Sequence, residues 1–241
     1  MKCIKREAMM QQKLNREYML VEENTFTTFK DTLGSAYDRK ARAYEKLVSS
    51  TLYNKIIWGT LPKDYTDFAR KVISNSTGAS IDIGCGGLVQ TFTIYSKSTQ
   101  NFILLDNSIE MLKIAKKRLM SYSDKFPKNI ELLQSNAFDL PFQNETFDNV
   151  FSFGLIHCFE NKQEFINEVL RILKVNGKFY FTSMTSDRFI SKCYMSLLRQ
   201  QKEFGEPLTS KQIMNMFDNS ALEVEYCMKG SMIFINGTKK I

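Results

Sequence analysis

The residues best placed for chemistry begin with the run Ser80-Ile-Asp-Ile-Gly-Cys-Gly-Gly-Leu88. An apolar stretch ends in a loop that holds Gly84, Gly86 and Gly87. Glycines tolerate positive φ and let a ligand approach the backbone closely. A helix after such a loop points the positive end of its dipole at that ligand. A dinucleotide fingerprint would need a further glycine at position 89, where this chain has Val89. Asp82 would repel a pyrophosphate but suits an ammonium or a network of bound water. The plainer reading of the run is a tight strand-to-helix turn.

Two further groups lie downstream. Asp106, in Leu104-Leu-Asp-Asn-Ser108, falls about 20 residues beyond the glycines, where a carboxylate accepts hydrogen bonds from both hydroxyls of a ribose. Its alternative role is a helix cap. In Ser135-Asn-Ala-Phe-Asp-Leu-Pro-Phe142, the Asn136 amide can present an acceptor and a donor to an adenine edge, and Ala137 a backbone N–H to a ring nitrogen. His157, the sole histidine, ends the apolar run Val150-Phe-Ser-Phe-Gly-Leu-Ile-His157. Its ordinary pKa suits a general base, with local packing as the competing role. Glu160 could orient it or cap a helix.

These residues need elements to hold them. Apolar runs predict strands over 79–83, 101–105, 130–134, 149–153 and 178–183. Helical periodicity falls between them, over 108–122 with Ser108 as N-cap and over 162–173. Strand and helix in alternation imply a parallel sheet covered on both faces. Ligands then bind beyond the carboxyl ends of the strands, where every candidate above falls. A helix over 210–219 and strands over 222–227 and 232–236, around Gly230, predict a terminal antiparallel hairpin. The expected division is a basic arm (1–25, helical or frayed), a helical cap or lid (26–75) and a cofactor-binding domain (76–241). Tyr37, Ala41, Tyr44, Leu47 and Val48 share one face of the cap, which serves core packing or a lid. Trp58 reads as packing. The stretch 185–207, with Phe189, Tyr194, Met195, Leu197 and Leu198, could wall an acceptor pocket.

The net charge is +7, and Lys2, Lys5, Arg6, Lys13 and Arg16 stand against Glu7 alone at the start. Such an arm is solvated, or touches nucleic acid or anionic lipid. Five cysteines without a CxxC pair, and one histidine, disfavour a structural zinc and suit reduced thiols in a cytosol. The first residues lack an apolar signal core, and no run approaches the length of a membrane span. The expectation is a cytoplasmic protein.

Four stretches in order resemble the class I S-adenosylmethionine-dependent methyltransferases, in their small-molecule, methyltransferase-domain 11-like branch. They are Ile81-Asp-Ile-Gly-Cys-Gly86, Leu105-Asp-Asn-Ser-Ile-Glu-Met-Leu112, Asn136-Ala-Phe-Asp-Leu-Pro-Phe142 with Phe147-Asp148, and Val169-Leu-Arg-Ile-Leu-Lys-Val-Asn-Gly177. Together they cover residues 78 to 183. The resemblance implies a doubly wound, Rossmann-like α/β sheet of seven strands, the last antiparallel. It implies S-adenosyl-L-methionine as cofactor, bound by Asp82, Gly84, Cys85, Gly86, Asp106, Asn107, Asn136, Ala137 and Phe153. Asp82, Gly84 and Gly86 would lie along its methionine, Asp106 at the ribose, and Asn136 and Ala137 at the adenine. In similar enzymes a segment such as the cap closes over the cofactor, which makes Tyr37 a candidate beside His157 in catalysis. The implied partner is a small-molecule acceptor rather than nucleic acid, with no metal. A catalytically silent cofactor-binding subunit is the alternative, as is a nucleic-acid methyltransferase that uses the arm. The chain departs from the family at Leu88, where a third glycine is usual, at Asn136, often aspartate, and at Val175-Asn176-Gly177, commonly Pro-Gly-Gly.

Overall fold

The computed structural model describes residues 14–29, 47 and 49–241. Nine strands form one sheet: β1 (Met19–Glu22), β2 (Thr25–Thr27), β3 (Ser80–Ile83), β4 (Phe102–Asp106), β5 (Ile130–Gln134), β6 (Phe147–Phe153), β7 (Leu173–Met184), β8 (Leu222–Lys229) and β9 (Met232–Lys239). Their order is β1-β2-β5-β4-β3-β6-β7-β9-β8. Strands β5, β4, β3, β6 and β7 run parallel, and β9 enters antiparallel to both β7 and β8. The chain reverses its direction of travel across the sheet between β3 and β6, which makes the switch point where ligands bind in such folds.

Side-chain alternation divides the interior into two layers. Ile81, Ile83, Ile103, Leu105, Val150 and Ile233 face one core cluster. Phe102, Leu104, Phe151 and Phe153 face the other. The first is covered by α4 (Lys162–Ile172), through Phe165, Ile166 and Val169. The second is covered by α1 (Pro62–Ser74), α2 (Phe92–Lys97) and α3 (Ile109–Ser123). Pro62 opens α1, where a missing N–H costs nothing. Ser108 caps α3, its hydroxyl accepting the Met111 N–H at 3.2 Å. Two more helices follow, α5 (Phe189–Gln200) and α6 (Ser210–Asn215).

Four expectations need correction. The doubly wound sheet contains the seven expected strands, but β1 and β2 extend its β5 edge to nine. The described part of the arm is therefore neither helical nor frayed. Asn24, at φ 62°, turns a hairpin whose second strand pairs in parallel with β5. Leu14 bridges Phe142, and Arg16 grips both oxygens of Asp139 at 2.7 Å. The cap is helical over 51–58 and in α1, while Thr25–Thr27 is strand. Finally, α4 ends at Ile172 and β7 begins at once at Leu173, five residues before the strand expected over 178–183. Residues 174–177 form a bulge, with Leu173 opposite Phe147, Lys178 opposite Asn149, and Asn176 at φ 62°. No described helix is long and apolar enough to cross a membrane.

Candidate active site

Beyond the ends of β3, β4 and β6 lies a cavity of about 380 Å³. One half is polar and built from turns. Gly84 (φ +75°) and Gly86 (φ +56°) need the left-handed conformation. A Cβ on Gly84 would strike Leu155 at 2.7 Å, whereas one on Gly86 would meet nothing within 4 Å and would stand in the cavity. The carbonyl of Leu105, on the neighbouring strand, accepts the N–H groups of Gly84 (2.8 Å) and Cys85 (3.0 Å). Asp106 accepts the N–H of Gly86 on one carboxylate oxygen and that of Ser108 on the other, both at 2.8 Å. The loop after β5 closes this half. The Asn136 side-chain oxygen takes the N–H of Phe138 at 3.0 Å, an Asx turn that fixes the amide.

The other half is aromatic. The helical segment 51–58 and α5 meet through Tyr194, which lies edge-on to Tyr53 (5.9 Å) and Trp58 (5.7 Å). Phe204 stacks on Trp58 at 6.3 Å and approaches the His157 ring at 4.5 Å. Leu198, Met184 and Met232 complete the wall. Lys162, buried, donates to the carbonyls of Phe159 and Glu206 and ties the 201–207 loop to the turn after His157.

His157 is buried, and its Nδ1 accepts the backbone N–H of Met184 at 3.1 Å. In the neutral ring the proton then sits on Nε2. Burial pushes its pKa down to about 3, and the Lys162 ammonium acts in the same direction. With Nδ1 engaged, the neutral ring offers a donor at Nε2 rather than a free acceptor. Glu160 does not orient His157; it pairs with Arg199 at 2.9 Å and accepts the Glu206 N–H at 3.1 Å.

Asp82 is displaced from its expected place. It is 2% exposed, lies behind the glycine loop rather than on the cavity wall, and accepts the Tyr95 hydroxyl on Oδ2 at 2.7 Å. Its Oδ1 is buried without a hydrogen-bond partner. Burial raises its pKa to about 7; the Tyr95 hydrogen bond opposes that rise and the charge of Asp106 adds to it. Strand pleating explains the displacement. Ile81 and Ile83 face one layer, so Asp82 between them faces the layer of Tyr95.

Gly84, Cys85, Gly86, Asp106, Asn107, Asn136, Ala137, Phe153 and His157 all reach the cavity. Tyr37 and Tyr44 lie outside the described residues. Of the stretch 185–207, Tyr194 and Leu198 line the wall, Met195 is in the core, and Phe189 is 81% exposed. Trp58 both packs and lines the cavity, as do the unforeseen Phe204 and Phe138. Leu88 sits at φ 58°, the left-handed region where a glycine is easiest, and its side chain is 2% exposed in the core beneath α1.

A methyltransferase-domain family model matches residues 74–228, which take in the glycine turn, Asp106, the Asn136 loop and His157. The chain belongs to this family. Its class I methyltransferase fold is that of enzymes that use S-adenosylmethionine as cofactor. An uncharacterized Methanocaldococcus jannaschii protein is 27% identical over 184 residues, 76% of this chain and 78% of its own. A ubiquinone/menaquinone biosynthesis C-methyltransferase from Pseudomonas savastanoi is 30% identical over 149 residues. That match covers 59% of this chain and 57% of the Pseudomonas enzyme. Among solved structures, a possible histamine N-methyltransferase from Thermotoga maritima shares the fold, with a TM-score of 0.62 at 18% identity, over 85% of this chain and 98% of that one. The residues present fit the cofactor: Gly86 leaves open space where a Cβ would intrude, and Asp106 is pinned at its edge.

Proposed function

We propose that this methyltransferase transfers the methyl group of S-adenosylmethionine to a small, hydrophobic or amphipathic acceptor. The observation that carries the reading is the two-part cavity, polar along the glycine turn and aromatic between Trp58, Tyr194 and Phe204. A mostly apolar pocket with few fixed polar groups selects a small apolar ligand.

S-adenosylmethionine, when bound, supplies an electrophilic methyl group whose sulfonium leaves as a neutral thioether. Asp106 would hold the ribose hydroxyls beside the two backbone N–H groups it already accepts, since a carboxylate offers about four acceptor positions. Asn136 and Ala137 would hold the adenine, and Gly84, Cys85 and Gly86 would border the methionine. Asn107 and Phe153 border the same half. The aromatic wall would hold and orient the acceptor, and alignment of this kind supplies several kcal/mol. His157 donates its Nε2–H to an oxygen of the acceptor, while the acceptor's own acidity governs its ionisation. The chain works in a reducing compartment such as the cytoplasm, which suits the free thiols of Cys85, Cys158, Cys193 and Cys227.

The test is a screen of metabolites with methyl-labelled cofactor, read by mass. Label is expected in acceptors that combine an apolar body with one nucleophilic atom. Label confined to RNA, DNA or protein would overturn the reading, as would a protein that binds cofactor and methylates nothing.

A further inference from the structure

The two segments that wall the aromatic half turn rings inward and apolar side chains outward. On 51–58, Leu52 is 68% exposed and Ile56 is also exposed. On α5, Phe189, Cys193 and Leu197 are exposed at a spacing of four, beside exposed Ile190. That spacing makes one stripe along the helix. Outward helix positions in a water-facing protein are normally polar, and apolar ones gathered in one patch mark a contact.

Basic residues border this stripe, with Asp187 and Glu203 at the two ends of α5. From Arg188 to Lys202 there are four basic residues and no acid, and from Ser50 to Leu61 Lys55 is the one charged residue. Arg199 is committed to Glu160, whereas Lys55, Lys192 and Lys202 are exposed. Apolar side chains bordered by lysines match a surface that is oily below and anionic above.

We propose that the face formed by residues 51–58 and α5 docks on an anionic lipid bilayer. Phe189, Leu52 and Ile56 enter the headgroup boundary, and Lys55 and Lys192 meet lipid phosphates. The two segments that wall the aromatic half then lie against the membrane.

The experiment is co-sedimentation of the full chain with phosphatidylcholine vesicles, with and without phosphatidylglycerol. Binding to the anionic vesicles is expected. It should fall about tenfold or more in the double variant Phe189→Ser/Ile56→Ser, and about fivefold for each of Lys55→Gln and Lys192→Gln. Leu20→Ser, at an equally exposed leucine on the far sheet edge, should change nothing. Three results would overturn the proposal: no sedimentation with anionic vesicles; binding that ignores Phe189 and Ile56 or falls equally with Leu20→Ser; or a vesicle-free dimer split by the same substitutions. The readout is binding alone, so its failure leaves methyl transfer untouched, and a failed metabolite screen leaves docking untouched.

Discussion

The Asp106 carboxylate, at the tip of β4, accepts the backbone N–H of Gly86, at the tip of the loop from β3, at 2.8 Å. One side chain thus sets both the shape of the glycine turn and the charge at its edge. Asp106→Ala should abolish S-adenosylmethionine binding while the fold persists, because the parallel ladder between the strands remains. Calorimetry with near-parental affinity in a folded variant would refute this.

His157 gives a prediction in the pH profile. With its pKa near 3, His157 should contribute no inflection near 6.5 to kcat/KM. His157→Ala should lower kcat more than cofactor affinity, through loss of a donor. An inflection near 6.5 that vanishes in the variant would restore the base role.

Asp82 couples the site to stability. Its folded pKa, about 7, lies above the ordinary 3.8, so the unfolded chain releases the proton first as pH rises. Stability contributed by the protonated group is complete below about 4 and is lost towards 7. Asp82→Asn keeps an acceptor for Tyr95 and removes the titration. It should leave the melting temperature unchanged at pH 4 and raise it at pH 8, by on the order of 2–4 kcal/mol in stability. Equal melting curves at pH 8 would show that the buried carboxyl is accommodated as a charge.

Leu88 sets backbone strain against packing. Its left-handed φ costs about 1–2 kcal/mol, while loss of a buried leucine costs about 2–5 kcal/mol. Leu88→Gly should therefore destabilise, by about 1–3 kcal/mol in urea unfolding. Leu88→Ala should be worse than glycine, since it loses the packing and keeps the strain. Cofactor affinity should hold within about threefold, because the side chain belongs to the core. A large gain in affinity for Leu88→Gly would mean that the leucine obstructs the groove.

The alternation of strand and helix from residue 78 was readable because each strand is a short apolar run and each candidate falls just after one. What pleating does to a single residue was not. Asp82 stands in the motif but faces Tyr95, since its side depends on the phase of the strand. The His157 tautomer depends on the backbone N–H of Met184, 27 positions away, which no local pattern reveals. The β1–β2 hairpin did leave a trace, Glu23-Asn24 between Met19-Leu-Val-Glu22 and Thr25-Phe-Thr27, but the flanking charge masked it. Phe204 carried no signal, as it needs the 201–207 loop to fold back against His157.

The clasp of Arg16 on Asp139 reaches the loop that carries Asn136. Trimming the chain through Arg16 removes that clasp, so a change in methyl-donor affinity on such an edit would report a lost mechanical brace as well as a lost charge.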